Sequence, residues 1–219
     1  MFIPIDPGDR SSPFGLLTAQ IAADNIKQAL RNKNIRHRFF LKEQATPEAF
    51  LKELKEPIAG VVFVGHSLLI ASPQTTFSAG LLFYGDRALV RKPDPSVPEL
   101  NYTLSIPNAV LVENFDTQLK LAYVGSCALG RAFTDLWSIG PTTQGRALVY
   151  TPHQAADLVQ SVAGWTYVAE ALLDPRLATI QRAVEYANPK LIQNAQIANP
   201  PAAPIILQVH GDGNVRIRP

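Results

Sequence analysis

Two residues that can do chemistry together follow two similar apolar runs of the sequence. The first run, in "IAGVVFVGHS" (58–67), leads to His66, and the second, "LKLAYVGSC" (119–127), leads to Cys127, the single cysteine among 219 residues. An imidazole beside a thiol raises its thiolate fraction, and the same imidazole can then protonate a leaving amine. His66 and Cys127 are therefore the first candidates for a catalytic pair.

The secondary-structure elements that position this pair predict an α/β fold. Strand patterns at 2–5, 35–41 and 60–64 alternate with a helix pattern at 11–32 and a second helix that opens at Thr46-Pro47. The strand "GVVFV" (60–64) is apolar on both faces, which is typical of a parallel sheet covered by helices. This order predicts a three-layer αβα sandwich with a mainly parallel sheet.

Such a sheet explains how residues distant in sequence would meet. Reactive groups of open parallel sheets gather beyond the carboxyl ends of the strands, and His66 and Cys127 both stand just past such an end. If their strands are neighbours, the backbones run about 4.8 Å apart and the side chains can meet. The small residues Gly65, Ser67, Gly125 and Ser126 leave room there for a substrate and expose backbone N–H groups.

The rest of the chain predicts an excursion and then further α/β elements. Residues 67–118 form the excursion near the strand ends, which is either a substrate-facing region or an added edge ribbon. It holds a β-hairpin at 80–90 that turns at Gly85-Asp86, and more extended chain at 103–115. Further elements are a strand at 146–150, a helix that begins at Thr151 and a break in that helix at Asp174-Pro175. The next helix runs to about Asn188. A connector at 197–204 and a hairpin at 205–218 around Asp212-Gly213 follow it.

Composition limits the function classes. With 47% hydrophobic and 17% charged residues, the chain can bury a sizeable core, and we predict one domain over residues 1–219. A net charge of +2 is too small to indicate nucleic-acid binding. One cysteine excludes an intrachain disulfide and a cysteine-rich zinc site. No signal peptide or membrane-length apolar run is visible, so we expect a soluble, cytoplasmic protein.

The layout also resembles a known family. An apolar strand that ends in Gly-His, followed by an apolar strand that ends in a small residue and Cys, is similar to the caspase-like cysteine peptidases, which include caspases, metacaspases, gingipains, separases and the bacterial CHAT-domain proteins. The helix, strand, "Ala-Thr" helix and histidine strand of that family have counterparts in "AADNIKQALRNKNIRHRFFLKEQATPEAFLKELKEPIAGVVFVGHS". The later stretch "SAGLLFYGDRALV" most resembles the CHAT branch.

The resemblance implies roles for three residues. Cys127 matches the family's nucleophile and His66 its general acid and base, while the backbone N–H groups of Ser67 and Cys127 would hold the oxyanion. The implied activity is that of a cysteine endopeptidase acting on a peptide or protein substrate, without metal or organic cofactor. Ser67 stands where the family usually has glycine.

Two other functions remain open on the sequence. A caspase-like module without activity could bind a peptide or protein in the same crevice. The segment Gly65-His66-Ser67-Leu68-Leu69 partly matches the elbow of serine hydrolases, with Asp116 or Asp135 and His153 or His210 as partners. The segment 210–214 has some features of a calcium loop, but it lacks a downstream glutamate and we interpret it as a turn.

Overall fold

The computed structural model describes residues 1–4, 15–71, 76–84, 102–107, 119–126, 145–152, 158–198 and 201–217. The strands in these ranges are β1 (Phe2–Ile3), β2 (Phe40–Leu41), β3 (Gly60–Val64), β4 (Ser67–Ala71), β5 (Thr76–Tyr84), β6 (Tyr102–Pro107), β7 (Leu121–Gly125), β8 (Ala147–Tyr150) and β9 (Gln208–Gly211). The α-helices are α1 (Gly15–Asn32), α2 (Pro47–Leu54), α3 (Leu158–Leu173) and α4 (Ile180–Ile197), and short 3-10 helices span Lys42–Gln44 and Pro175–Leu177.

Within the described part of the chain, six strands form the central sheet in the order β2-β1-β3-β7-β8-β9. Every pair in it is parallel except the last, in which β9 runs antiparallel to β8. The fold is therefore mixed α/β with a mostly parallel open sheet, as the sequence predicts. The pairing of β3 with β7 is the feature that matters for function, because these strands precede His66 and Cys127.

Each face of this sheet packs against its own layer. Successive side chains of a strand point to opposite faces, so β3 divides its apolar residues between two clusters. Val62 and Val64 face a cluster that includes buried residues of α3 and α4, such as Val168 and Val184. Val61 and Phe63 face a second cluster. A strand with both faces covered must be apolar throughout, which is why "GVVFV" shows no alternation.

The second face is covered by a helix and by a strand of another sheet. Phe50 of α2 and Phe83 of β5 pack around Phe63, with ring centroids 5.1 to 6.1 Å apart. All three rings are almost fully buried, at 2% exposure or less. Strand β5 of the excursion between β3 and β7 therefore contributes to the core, which the sequence did not predict.

The described residues of this excursion form a three-stranded antiparallel sheet in the order β4-β5-β6. The predicted hairpin at 80–90 is described only over residues 80–84, which belong to β5; its turn at Gly85-Asp86 and residues 85–90 lie outside the described residues. The described partners of β5 are β4, which the sequence did not predict, and β6. Of the extended segment 103–115, residues 103–107 are confirmed as strand.

Local sequence signals predicted the start of α2 and the end of α1. Thr46 caps α2 by accepting a hydrogen bond from the Ala49 N–H at 3.2 Å, and Pro47 occupies the first turn, as predicted. Helix α1 ends at Asn32, as expected, while residues 11–14 of the predicted helix lie outside the described residues. Only Phe40–Leu41 of the predicted strand 35–41 forms a strand.

The predicted helix break at Asp174-Pro175 is confirmed, but the end of the next helix is not. Asp174 accepts hydrogen bonds from Arg176, which holds the pKa of its carboxyl at about 2. Helix α4 then starts after the Thr179 cap and continues through Pro189 to Ile197, beyond the predicted end near Asn188. Leu191 and Ala195 are buried, so packing outweighs the cost of an internal proline.

The C-terminal prediction is wrong in its pairing. Residues 205–218 do turn at Asp212-Gly213, but β9 pairs with β8 and not with the chain after the turn. That chain forms an isolated bridge between Arg216 and Thr179. The predicted helix opening at Thr151 stays a prediction, because residues 153–157 lie outside the described residues and α3 is described only from Leu158.

Candidate active site

The candidate site begins where β3 and β7 end side by side. The two strands pair in parallel over five positions, from Gly60 opposite Leu121 to Val64 opposite Gly125. Beyond the last pair, the Gly65 N–H donates to the Gly125 carbonyl at 3.1 Å. The neighbouring strands that the sequence hypothesis requires are therefore present, and their last paired residues, Val64 and Gly125, precede His66 and Cys127 in the sequence by two residues each.

The structure describes this edge up to Ser126, and Cys127 lies outside the described residues. His66 is described and half-buried. Its carbonyl accepts a hydrogen bond from the Leu82 N–H of β5 at 2.9 Å. This bond ties the end of β3 to the antiparallel sheet.

A buried hydroxyl pair joins the two strand ends. The Ser67 hydroxyl donates to the Ser126 hydroxyl oxygen at 2.7 Å. Ser67 is 8% exposed and Ser126 is fully buried. The side chain of Ser67 is thus held against the neighbouring strand, and little of it is accessible from the crevice.

Ser126 has a second anchor on the next strand along the sheet. The Thr151 hydroxyl, just after β8, donates to the Ser126 carbonyl at 3.0 Å, and both residues are buried. The ends of β3, β7 and β8 are therefore linked by side-chain hydrogen bonds, in addition to the ladder between the strands. Sequence reasoning missed these links. The only signal was the presence of small hydroxyl residues directly after strands.

The packing beneath the strand end is close. A Cβ atom at Gly125 would lie 2.9 Å from the Ser161 Cβ atom of α3, so only glycine fits without displacement. The Tyr123 hydroxyl donates to the Ser161 carbonyl at 2.8 Å. Burial raises the pKa of Tyr123 far above its ordinary value, so this phenol stays protonated and acts as a fixed hydrogen-bond donor.

The serine-hydrolase alternative finds no support at Ser67. A nucleophile elbow needs a strand, a sharp turn and then a helix that carries the serine hydroxyl into the open. Ser67 instead starts strand β4, and its buried hydroxyl is engaged with Ser126. His210 lies on β9, while Asp116, Asp135 and His153 fall outside the described residues.

The segment 210–214 contains the end of β9 at Gly211 and a turn at residues 212–214, so the sequence interpretation of a turn holds for its second part. The Asp212 carboxylate accepts from the Asn214 N–H at 3.0 Å and from the Gly145 N–H at 3.3 Å. These bonds engage the oxygens that a calcium ion would need. Across the described ranges, no group of three or more His, Cys, Asp or Glu side chains is arranged to hold a metal ion.

A separate cavity of about 680 Å³ lies at the opposite, amino edge of the sheet. The first residues of β3 and β7, Gly60 and Leu121, contribute to its lining together with apolar residues of α1 and α3. Arg38 and Glu53 also line it and form an ion pair at 2.5 Å. Its volume is within the range of small-molecule pockets, about 300–1,000 Å³. No sequence pattern indicated this cavity.

No protein-family model matches the chain, and no curated protein matches its sequence.

Among the helices in the described part of the chain, none is both long and apolar enough to cross a membrane.

Proposed function

We propose that this chain is a cysteine endopeptidase of the caspase/CHAT type, in which His66 and Cys127 form the catalytic dyad. The observation that carries the proposal is the in-register parallel pairing of β3 and β7, which ends at Val64 opposite Gly125. His66 and Cys127 each follow these paired positions by two residues. Neighbouring strands run about 4.8 Å apart, a separation that an imidazole and a thiol can bridge.

Two further features support the proposal. The hydrogen bond between Ser67 and Ser126 keeps the chains adjacent beyond the last residues of both strands. The site is also at the carboxyl edge of a mostly parallel sheet, where α/β enzymes place their reactive groups. A caspase-like fold additionally accounts for the chain excursion between the histidine strand and the cysteine strand.

The proposed reaction follows the chemistry of thiol catalysis. Cys127 loses its proton to His66, and the thiolate attacks the carbonyl carbon of the scissile peptide bond. Backbone N–H groups of Ser67 and Cys127 donate to the oxyanion that forms. The C–N bond breaks as His66 gives its proton to the leaving amine, which leaves a thioester. Water then attacks the thioester carbon as His66 takes a proton from it. The C–S bond breaks, the carboxylic acid product leaves, and the Cys127 thiolate takes the proton from His66.

Alkylation with iodoacetamide across pH tests the dyad directly, because the single cysteine of the chain makes each adduct a report on Cys127. We expect the wild-type thiol to titrate below the ordinary value of about 8.5. His66→Ala should return the midpoint to about that value. His37→Ala, which removes a histidine at the cavity on the amino edge, is the matched control and should leave the profile unchanged.

Cleavage is tested separately with a peptide library. Wild type should hydrolyse a subset of peptides, and Cys127→Ala and His66→Ala should hydrolyse none. Equal, slow alkylation of wild type and His66→Ala would show that no dyad exists. A dyad without any cleavage would reject the endopeptidase and favour the second function, a caspase-like module that binds a peptide or protein.

A further inference from the structure

We propose that Ser67 and Ser126 are positioning residues that hold His66 and Cys127 at a fixed separation. This inference rests on the proposed function, since it concerns the geometry of that dyad. Ser67 directly follows His66, and Ser126 directly precedes Cys127. A hydrogen bond between these two serines therefore restrains the backbone immediately beside each member of the pair.

The contact is well suited to that role. The two hydroxyl oxygens are 2.7 Å apart, a normal length for a good O–H···O bond. Both residues are buried, so water does not compete for either hydroxyl. A hydrogen bond in such surroundings is electrostatically stronger than one in water. The strand ends are thus fixed where the regular ladder of the sheet stops.

Each side of the pair has a second attachment. Ser126 is held through its carbonyl, which accepts from the Thr151 hydroxyl at 3.0 Å. His66 is held through its carbonyl, which accepts from the Leu82 N–H at 2.9 Å. The Ser67–Ser126 bond connects these two anchored segments. Without it, the ends of β3 and β7 lose a buried side-chain hydrogen bond that crosses directly between them.

The inference also gives a reason for serine at position 67. A glycine there supplies a backbone N–H but no hydroxyl, so it cannot donate to Ser126. The serine side chain points to the neighbouring strand and is 8% exposed, which leaves little of it to obstruct a substrate. Catalytic groups must be held close to their productive geometry, and a misplacement of about 1 Å can cost about 100-fold in rate.

The test is the pH profile of Cys127 alkylation in Ser67→Ala, Ser126→Ala and the double variant. In each of the three variants, the rate of Cys127 alkylation at pH 7 should be lower by about tenfold or more, and the pH midpoint of alkylation should move toward about 8.5. The double variant should be no worse than either single variant, because both serines act through one bond. Ser161→Ala is the matched control: its hydroxyl is buried near Gly125 and has no hydrogen-bond partner among the described residues.

Thermal unfolding separates positioning from simple stabilisation. A single substitution leaves the other hydroxyl buried without its partner, which lowers the midpoint of unfolding. Replacing both serines removes both polar groups, so the double variant should recover much of that midpoint. A positioning role predicts that its alkylation rate and pH midpoint do not recover.

Four results would overturn the inference. If wild type shows a His66-dependent midpoint that both single variants keep, the dyad stands and the positioning role fails. If the double variant regains reactivity together with thermal stability, or if Ser161→Ala shifts the profile equally, the pair only stabilises the fold. If wild type and His66→Ala react alike, the proposed function fails first and the positioning role fails with it.

Discussion

The two edges of the central sheet are built differently, although the same strands end at both. At the carboxyl edge, the ends of β3, β7 and β8 are joined by buried hydrogen bonds from Ser67 and Thr151, and α3 packs closely against Gly125. At the amino edge, β3 and β7 begin beside a cavity of about 680 Å³. Close packing and buried side-chain hydrogen bonds therefore mark the carboxyl edge, on the side where the proposed reactive residues would meet.

Glycine substitutions give the sharpest test of this contrast. A Cβ at Gly125 would meet the Ser161 Cβ at 2.9 Å, whereas a Cβ at Gly60 would meet nothing closer than the Leu121 carbonyl oxygen at 3.6 Å. Gly125→Ala should therefore lower the free energy of unfolding by about 2 kcal/mol, as overpacking does. Urea denaturation measures the change.

Gly60→Ala is the control for that experiment. Alanine fits there with ordinary contacts and reduces the freedom of the unfolded chain, so stability should be unchanged or higher by up to about 1 kcal/mol. Equal destabilisation by the two substitutions would mean that the edges do not differ in packing.

Removal of a buried hydroxyl at the carboxyl edge should have the next largest effect. Thr151→Val keeps the shape of the side chain but removes the donor to the Ser126 carbonyl. Because the buried Ser126 carbonyl then lacks this partner, the free energy of unfolding should fall by about 1–2 kcal/mol, which chemical denaturation can measure.

The amino edge supplies a polar contact for comparison. Glu53→Gln weakens its ion pair with Arg38; the Glu53 side chain is 9% exposed, but the Arg38 side chain is 62% exposed, so solvent reaches one partner of the pair. Solvent screening limits the contribution of such a pair to the free energy of unfolding to about 0–1 kcal/mol. A larger loss from Glu53→Gln than from Thr151→Val would contradict the contrast between the edges.

The smallest effect is expected from filling the cavity. Ala169 of α3 lines it, so Ala169→Leu should extend into open space and change stability by less than about 1 kcal/mol. Ala171 lies on the same helix but is packed in the core, 1% exposed. Ala171→Leu should therefore lower the free energy of unfolding by about 1–3 kcal/mol. Similar losses of stability from Ala169→Leu and Ala171→Leu would show that the cavity is not available to a side chain.

Some of the fold was predictable because its signals are local. Thr46 and Pro47 specify the start of α2 by their own hydrogen-bonding and backbone properties. Asp174 and Pro175 likewise end a helix. The apolar residues of β3 and β7 predicted strands buried on both faces, and with them a mostly parallel sheet.

Other features could not be predicted, because distant segments decide them. Helix α4 passes through Pro189 since Leu191 and Ala195 are buried against other elements. Strand β9 pairs with β8, although the sequence pattern around Asp212 suggested a local hairpin. In both cases the free energy of packing exceeded a local preference, and that quantity is not present in any short stretch of sequence.

The candidate site divides in the same way. The sequence alone singled out His66 and Cys127, because an imidazole and the single thiol each follow a buried strand. Only the tertiary structure decided that β3 and β7 are neighbours, in a register that pairs Val64 with Gly125. The tertiary structure also decided that the Ser67 hydroxyl donates a hydrogen bond to the Ser126 hydroxyl. The order of strands in a sheet is set by the packing of the whole core, whereas residue types and strand patterns are properties of the chain itself.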